Sequence, residues 1–235
     1  MSESRLKRFT EFLQPQSRIL ILAPHPDDEC LGTGGLIQKA IDQDCQISVI
    51  FITNGDNNPW PQRYVEKRWS IGPAEKKRWG ERRQEEAKAS LALLGGNRIK
   101  AEFLGLPDAG IQNLWQKRDP GLIEKLKKSF IDWQPALVVM PSEFDRHSDH
   151  RATHAFGLAA LEAAQLQPGV MTYLIHRPWL MKLTGRPKAH FGLQLSENQR
   201  LTKLQAIQCH QTQMALSRRR FCGFATNVEP YNFFT

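Results

Sequence analysis

Residues 19–35 read ILILAPHPDDECLGTGG, and the rest of the chain is best read outward from them. Ile19, Leu20, Ile21, Leu22 and Ala23 form an apolar run long enough for a strand buried on both faces, and Pro24 ends it. His25, Asp27, Asp28 and Glu29 follow at once. They stand at the carboxyl end of the expected strand, where open α/β sheets place their active sites. Thr33, Gly34 and Gly35 are expected to turn the chain tightly before an amphipathic stretch that begins near Leu36. A His and an Asp three residues apart on a tight turn can converge on one divalent ion, and imidazole with carboxylate suits zinc. Asp27 is then free to face the same centre. A surface acidic turn would look similar, so the metal reading needs a third ligand.

Residues 146–154, RHSDHRATH, offer one. They follow a second apolar run, 136–140, that ends in Pro141. His147, Asp149 and His150 stand at the head of an Ala-rich, helix-like stretch. Two strand ends thus each deliver His and Asp, and in a parallel sheet such ends share one edge. Ser148 or Asp149 can also serve as a helix cap, a role that does not exclude the metal.

Working outward, strands are expected at 46–53, 101–104 and 170–175, and helices at 81–95, 122–133, 151–165 and 201–216. Strand and helix alternate, so the expected fold class is α/β: one Rossmann-like domain over 1–235 with a mostly parallel sheet and helices on both faces. Residues 57–80 mix Pro and Trp with Arg and Lys and are read as a lid or a short-helix insertion. Trp beside Arg makes sugar platforms and phosphate clamps, and it also makes ordinary packing. The apolar tail at 229–234 is expected to pack on the body.

Arg5, Lys7 and Arg8 precede no apolar segment of signal-peptide length, and the longest apolar runs are strand-sized. The expectation is a cytoplasmic protein with no transmembrane segment. Phe9, Phe12 and Leu13 pack a short helix on the body or touch the inner face of a membrane. Cys30, Cys45, Cys209 and Cys222 have no C-x-x-C spacing, so they are expected to be reduced. The net charge of +8 fits a phosphorylated or lipid-phosphate substrate, or only solubility. No nucleic-acid module, G-x-G-x-x-G or P-loop is present, so neither nucleic acid nor a nucleotide is an expected partner. Homo-oligomer formation is left open.

PHPDDE (24–29) and His147-Ser148-Asp149-His150 together resemble the two metal motifs of the LmbE-like, or PIG-L, metal-dependent de-N-acetylases. Pro24 stands where that family has Ala. RRQEEAKASLALLG (82–95), FLGLPDAG (103–110) and KLQAIQCHQTQ (203–213) resemble further segments in the family's order. The resemblance implies His25, Asp28 and His150 as ligands of one Zn2+, with other divalent metals acceptable, and a coordination position left for water. It implies Asp27 as general base. His147 would stabilise the oxyanion and protonate the leaving amine, its pKa raised by a neighbouring carboxylate, with Asp149 orienting its ring. Arg83 would point at the substrate and Glu86 would hold it. The implied reaction is hydrolysis of the N-acetyl amide of an N-acetylglucosamine-type substrate, phosphate-bearing, lipid-linked or glycoside-linked. A related amidase acting on a larger amide and a non-catalytic sugar or nucleotide binder are the alternatives. His176 and His190 are left outside the ligand set, and His210 and Gln213 are placed within reach of substrate.

Overall fold

The apolar run of the motif is strand β1 (Arg18–Ala23), whose five apolar side chains are all buried. The computed structural model describes residues 9–177 and 191–234. After β1 the chain forms α1 (Asp28–Asp42), β2 (Gln46–Thr53), α2 (Pro59–Glu66), α3 (Pro73–Gly95) and β3 (Ile99–Leu106). It continues through α4 (Ile111–Gln116), α5 (Pro120–Trp133), β4 (Leu137–Pro141), α6 (Ser148–Ala163) and β5 (Gly169–Tyr173). β6 (Phe191–Gln194), α7 (Glu197–Cys209), α8 (Gln211–Cys222) and β7 (Val228–Phe234) complete it.

The strands form one sheet in the order β3-β2-β1-β4-β5-β7-β6. Ile21 of β1 pairs in parallel with Val49 of β2 on one side and Val139 of β4 on the other. β3 and β5 extend the parallel part, and β7 runs antiparallel to both β5 and β6. Successive side chains of a strand point to opposite faces. Ile19 and Ile21 therefore pack with Leu36, Ile37 and Leu91 on one face, while Leu20 and Leu22 pack with Phe130 and Phe156 on the other. The sheet is mostly parallel with helices on both faces, which is why its inner strands read as unbroken apolar runs. The chain leaves β1 outward through β2 and β3, then returns to place β4 against the other side of β1. That reversal opens a crevice at the carboxyl ends of β1 and β4.

Several sequence expectations are corrected. Thr33, Gly34 and Gly35 make no turn; α1 begins at Asp28 and runs straight through them. The glycines serve close packing instead: a Cβ on Gly35 would lie 2.4 Å from Leu195 Cδ2, and one on Gly32 would lie 2.5 Å from Tyr173 Cδ2. A buried ion pair also docks on α1 here, Lys203 Nζ donating to Leu31 O while Glu229 accepts from Gly35 N and Leu36 N. Residues 57–80 hold α2 and the first turns of α3, which starts at Pro73 rather than at residue 81. Trp79 in this region is fully buried, whereas Trp60 and Trp69 are exposed with Arg63 over their rings. The helix expected over 201–216 is two helices broken at His210, whose ψ of 60° is not helical. The apolar tail is β7, paired through its backbone.

Cys30, Cys45, Cys209 and Cys222 are all free thiols. No helix among the described residues is long and apolar enough to cross a membrane. His190 and the basic residues Arg5, Lys7 and Arg8 lie outside the described residues.

Candidate metal centre and active site

Pro24, His25, Pro26 and Asp27 connect the end of β1 to α1. Asp27 occupies the N-cap position with φ 137°, a conformation that costs an L-residue on the order of 1–3 kcal/mol. An N-cap Asp ordinarily spends its carboxylate on the first free N–H groups of the helix, but Asp27 makes no such bond. Its Oδ2 instead accepts from Arg83 Nη2 at 2.9 Å. The strained backbone is held from both sides. Asp27 N donates to Glu29 Oε2 at 2.8 Å, and Arg83 also donates to Pro26 O. Glu29 is held in turn by His210 Nε2 at 2.9 Å.

The second arm comes from the loop after β4. Asp145, fully buried there, accepts from His147 N through Oδ1 and from Ile175 N and His176 N through Oδ2. Its Oδ2 also lies 3.1 Å from His150 Nδ1, so it orients that ring in the manner of a carboxylate behind a metal-binding histidine. His147 is the N-cap of α6, and its Nδ1 accepts from Asp149 N at 3.3 Å.

The two arms meet on one atom. Asp28 Oδ2 lies 3.1 Å from His25 Nδ1 and 3.2 Å from His150 Nε2. His25 Nε2 reaches Asp108 Oδ1 at 3.2 Å and Asp149 Oδ2 at 3.7 Å. Close as these carboxylates are, among the described residues neither His150 Nε2 nor His25 Nε2 is aligned with one in a hydrogen bond, and both Asp149 carboxylate oxygens are likewise buried without a hydrogen-bond partner. Buried polar atoms are rarely left so, and here they cluster. His25, Asp28 and His150 offer two nitrogens and an oxygen within 4.8 Å of one another, a donor set that fits a divalent cation. Beside them a cavity of about 230 Å³ is lined by His25, Asp27, Asp28, Arg83, Asp108 and His147, among others.

Electrostatics separates the roles of these groups. Burial alone would depress His25, but Asp108, Asp149 and Asp28 outweigh it and raise the ring well above its ordinary range. His150 is likewise opposed by burial, yet Asp28 and Asp145 push it up to about 9. Burial pushes Asp27 up to about 6, with Arg83 opposing and Asp28 adding. His147 goes the other way. Burial and the charges of His25, His150 and His176 lower it to about 4. The expected carboxylate support for His147 is therefore outweighed: Asp28 raises the ring but does not offset burial and the three neighbouring histidines, while Asp149 touches it through the main-chain N–H and turns its carboxylate to His25.

Of the other residues singled out in the sequence, Arg83 and Gln213 line the cavity. Glu86 does not. Its carboxylate accepts from Thr212 N at 3.0 Å and from Thr212 Oγ1, holding the start of α8. His210 is buried against Glu29 and also stays out of the cavity lining. Sequence reasoning missed Asp108 and Asp145 and left His176 outside the ligand set; the structure brings all three to the same place. Asp108 and Asp145 each stand just past the carboxyl end of a strand, the signal that found His25 and His147.

Comparisons with known proteins fit this geometry. Over 156 residues the chain is 28% identical to the diacetylchitobiose deacetylase of Thermococcus kodakarensis, covering 63% of this chain and 51% of that protein. Over 164 residues it is 29% identical to a 1D-myo-inositol 2-acetamido-2-deoxy-alpha-D-glucopyranoside deacetylase of Mycobacterium sp. (strain KMS), covering 64% and 52%. The chain thus spans about half the length of the relatives it matches. In three dimensions it superposes on the N,N'-diacetylchitobiose deacetylase of Pyrococcus horikoshii with a TM-score of 0.71 at 19% identity, covering 100% of this chain and 93% of that one. It also superposes on a conserved protein of Thermus thermophilus, TT1542, with a TM-score of 0.61 at 22% identity over 91% and 93% of the two chains. Residues 20–161, from β1 to the end of α6 and including both arms of the centre, match the PIG-L family described as GlcNAc-PI de-N-acetylase, and the chain belongs to that family.

Proposed function

We propose that the chain is a zinc-dependent hydrolase that removes the acetyl group from an N-acetylglucosamine-type substrate, releasing acetate and a free amino sugar. The observation that carries this reading is the convergence of His25 and His150 on Asp28 Oδ2, with the Asp27 carboxylate lining the same cavity. The relatives named as deacetylases of N-acetylated sugars support it. His25, Asp28 and His150 would hold the ion. When bound there, a divalent ion supplies Lewis-acid polarisation of the amide carbonyl and lowers the pKa of water toward about 7.

The chain's own groups supply the rest. Asp27, held near 6, is ionised at neutral pH yet basic enough to take the proton of an attacking water, and as the acid it can return that proton to the departing amine. Arg83 keeps its carboxylate aimed by bonds to Asp27 and Pro26. His147 accepts at Nδ1 from the backbone, so in its neutral form the proton sits on Nε2. A neutral ring of this kind donates a hydrogen bond to a developing oxyanion but has no spare proton for the amine. The acid role thereby falls to Asp27 and not to His147.

The test is acetate release from a panel of N-acetylglucosamine derivatives, with protein stripped of metal and then reloaded. Acetate that depends on the restored ion is the expected result. Release of a larger acid with no acetate would instead assign the chain to a related amidase.

A further inference from the structure

Asp27 faces the cavity from a main-chain conformation that an L-residue resists, and such a conformation persists only where the surroundings fix it. Arg83 fixes one side, through Pro26 O and through the Asp27 carboxylate itself. On the other side Asp27 N donates to Glu29 Oε2, so this hold is only as firm as Glu29 is. Glu29 is fully buried, and among the described residues its carboxylate has one other hydrogen-bond partner, His210 Nε2 on Oε1. His210 stands at the break between α7 and α8, and the far side of that break is tied separately, by Glu86 accepting from Thr212 N and Thr212 Oγ1. Stability does not call for the ring. A buried imidazole–carboxylate pair is a weak source of stability, and His210 Nδ1 is left buried with no hydrogen-bond partner among the described residues. His210 is also fully buried and outside the lining of the catalytic cavity, so no contact with substrate accounts for it.

We infer that His210 is a positioning residue of the hydrolysis proposed above: through Glu29 it fixes the main chain of Asp27, and with it the direction in which the Asp27 carboxylate faces the cavity; the inference rests on that reading. The contacts run in series, His210 Nε2 to Glu29 Oε1 at 2.9 Å and Asp27 N to Glu29 Oε2 at 2.8 Å. Each carboxylate oxygen accepts one hydrogen, so the grip on Asp27 N loosens when the ring that holds the other oxygen is removed. Displacing a catalytic group by about 1 Å costs about 10²-fold in rate, and a loss confined to the transition state leaves KM unchanged.

The test compares zinc-loaded wild type with H210M, H210Q and T212V in acetate release from an N-acetylglucosaminide. H210M removes the donor, the side-chain amide of H210Q can still donate to Glu29, and T212V loosens the break on the Glu86 side without touching Glu29. Because H210M leaves a buried carboxylate without its partner, E29Q and H210M/E29Q are measured as a second pair in which that charge is absent. The expected kcat is about 10-fold or more lower in H210M than in wild type, and in H210M/E29Q than in E29Q, with KM and zinc content unchanged. H210Q recovers most of kcat, while T212V lowers the urea midpoint and keeps its kcat. A purely structural role would lower the midpoint of the His210 variants and leave kcat per folded chain alone, which overturns the inference. So does a kcat loss equally large in T212V, a loss that H210Q does not recover, or a change confined to KM or to zinc content. Hydrogen exchange at the Asp27 amide, followed by NMR on the same proteins, is read without reference to activity. Exchange faster in H210M/E29Q than in E29Q, and unchanged in T212V, upholds the hold on Asp27 even where wild type releases no acetate, a result that would sink the deacetylase reading alone. Acetate release with kcat and Asp27 exchange indifferent to His210 would do the reverse.

Discussion

Asp27 shows how a single residue is set aside for chemistry. It caps a helix without using its carboxylate as a cap, in a backbone conformation that Glu29 and Arg83 hold in place. Asp27→Asn keeps the shape and removes the base. The expected result is unchanged zinc content with turnover lowered about 10²–10⁴-fold, the usual contribution of a positioned acid–base group. Metal analysis beside an acetate assay reads both, and a near wild-type rate would remove Asp27 from the mechanism. The two ring ligands make a second prediction. His25 and His150 are both raised, His150 to about 9, so at pH 7 the metal-free rings carry protons. A ligating nitrogen must be neutral, so binding expels these protons, and zinc affinity should climb as pH rises toward 9. Calorimetry in buffers of different ionisation enthalpy should report roughly two protons released per ion at pH 7. Release near zero would mean that these rings are not the ligands.

At the scale of the element, α1 lies against the body through its glycines and through the Lys203–Glu229 pair. Gly35→Ala pushes a methyl into Leu195, and overpacking of this kind costs about 1–3 kcal/mol, read as a lower urea midpoint. Lys203→Met leaves Glu229 charged and nearly fully buried, at a cost of about 3–5 kcal/mol, and K203M/E229L should recover much of it. A single variant as stable as wild type would show that the pair does not hold α1. These contacts mark the limit of what the sequence disclosed. β1, β2 and β4 were legible because strands buried on both faces are continuous apolar runs. Gly34 and Gly35 were misread as a turn because glycine serves turning and close packing alike, and only the position of Leu195, far away in sequence, separates the two. The break at His210 was hidden for a similar reason: the apolar spacing continues across it, while Thr212 is pulled to Glu86. His25, Asp28 and His150 stood out by residue type at a strand end, but Asp145 did not, because its role is to be read by main-chain N–H groups from another loop.

Over the whole molecule, the order of strands explains why the site exists. Placing β4 beside β1 brings together two loops separated by more than a hundred residues, and each supplies what the other lacks. A cation bound there ties the β1 loop to α6, so it stabilises the folded state and not the unfolded one. At a free zinc concentration 100 times its dissociation constant this amounts to about 2.7 kcal/mol, so chelation should lower the thermal midpoint. An unchanged midpoint would show that the ion is not bound between these loops. Most direct for the central claim is a titration of metal-stripped protein with zinc while acetate release from an N-acetylglucosaminide is followed. The account predicts no acetate at the start and a rate that rises in proportion to added zinc and levels off at about one ion per chain, with His150→Ala failing to recover. Full activity in the stripped protein, or full recovery by His150→Ala, would contradict it.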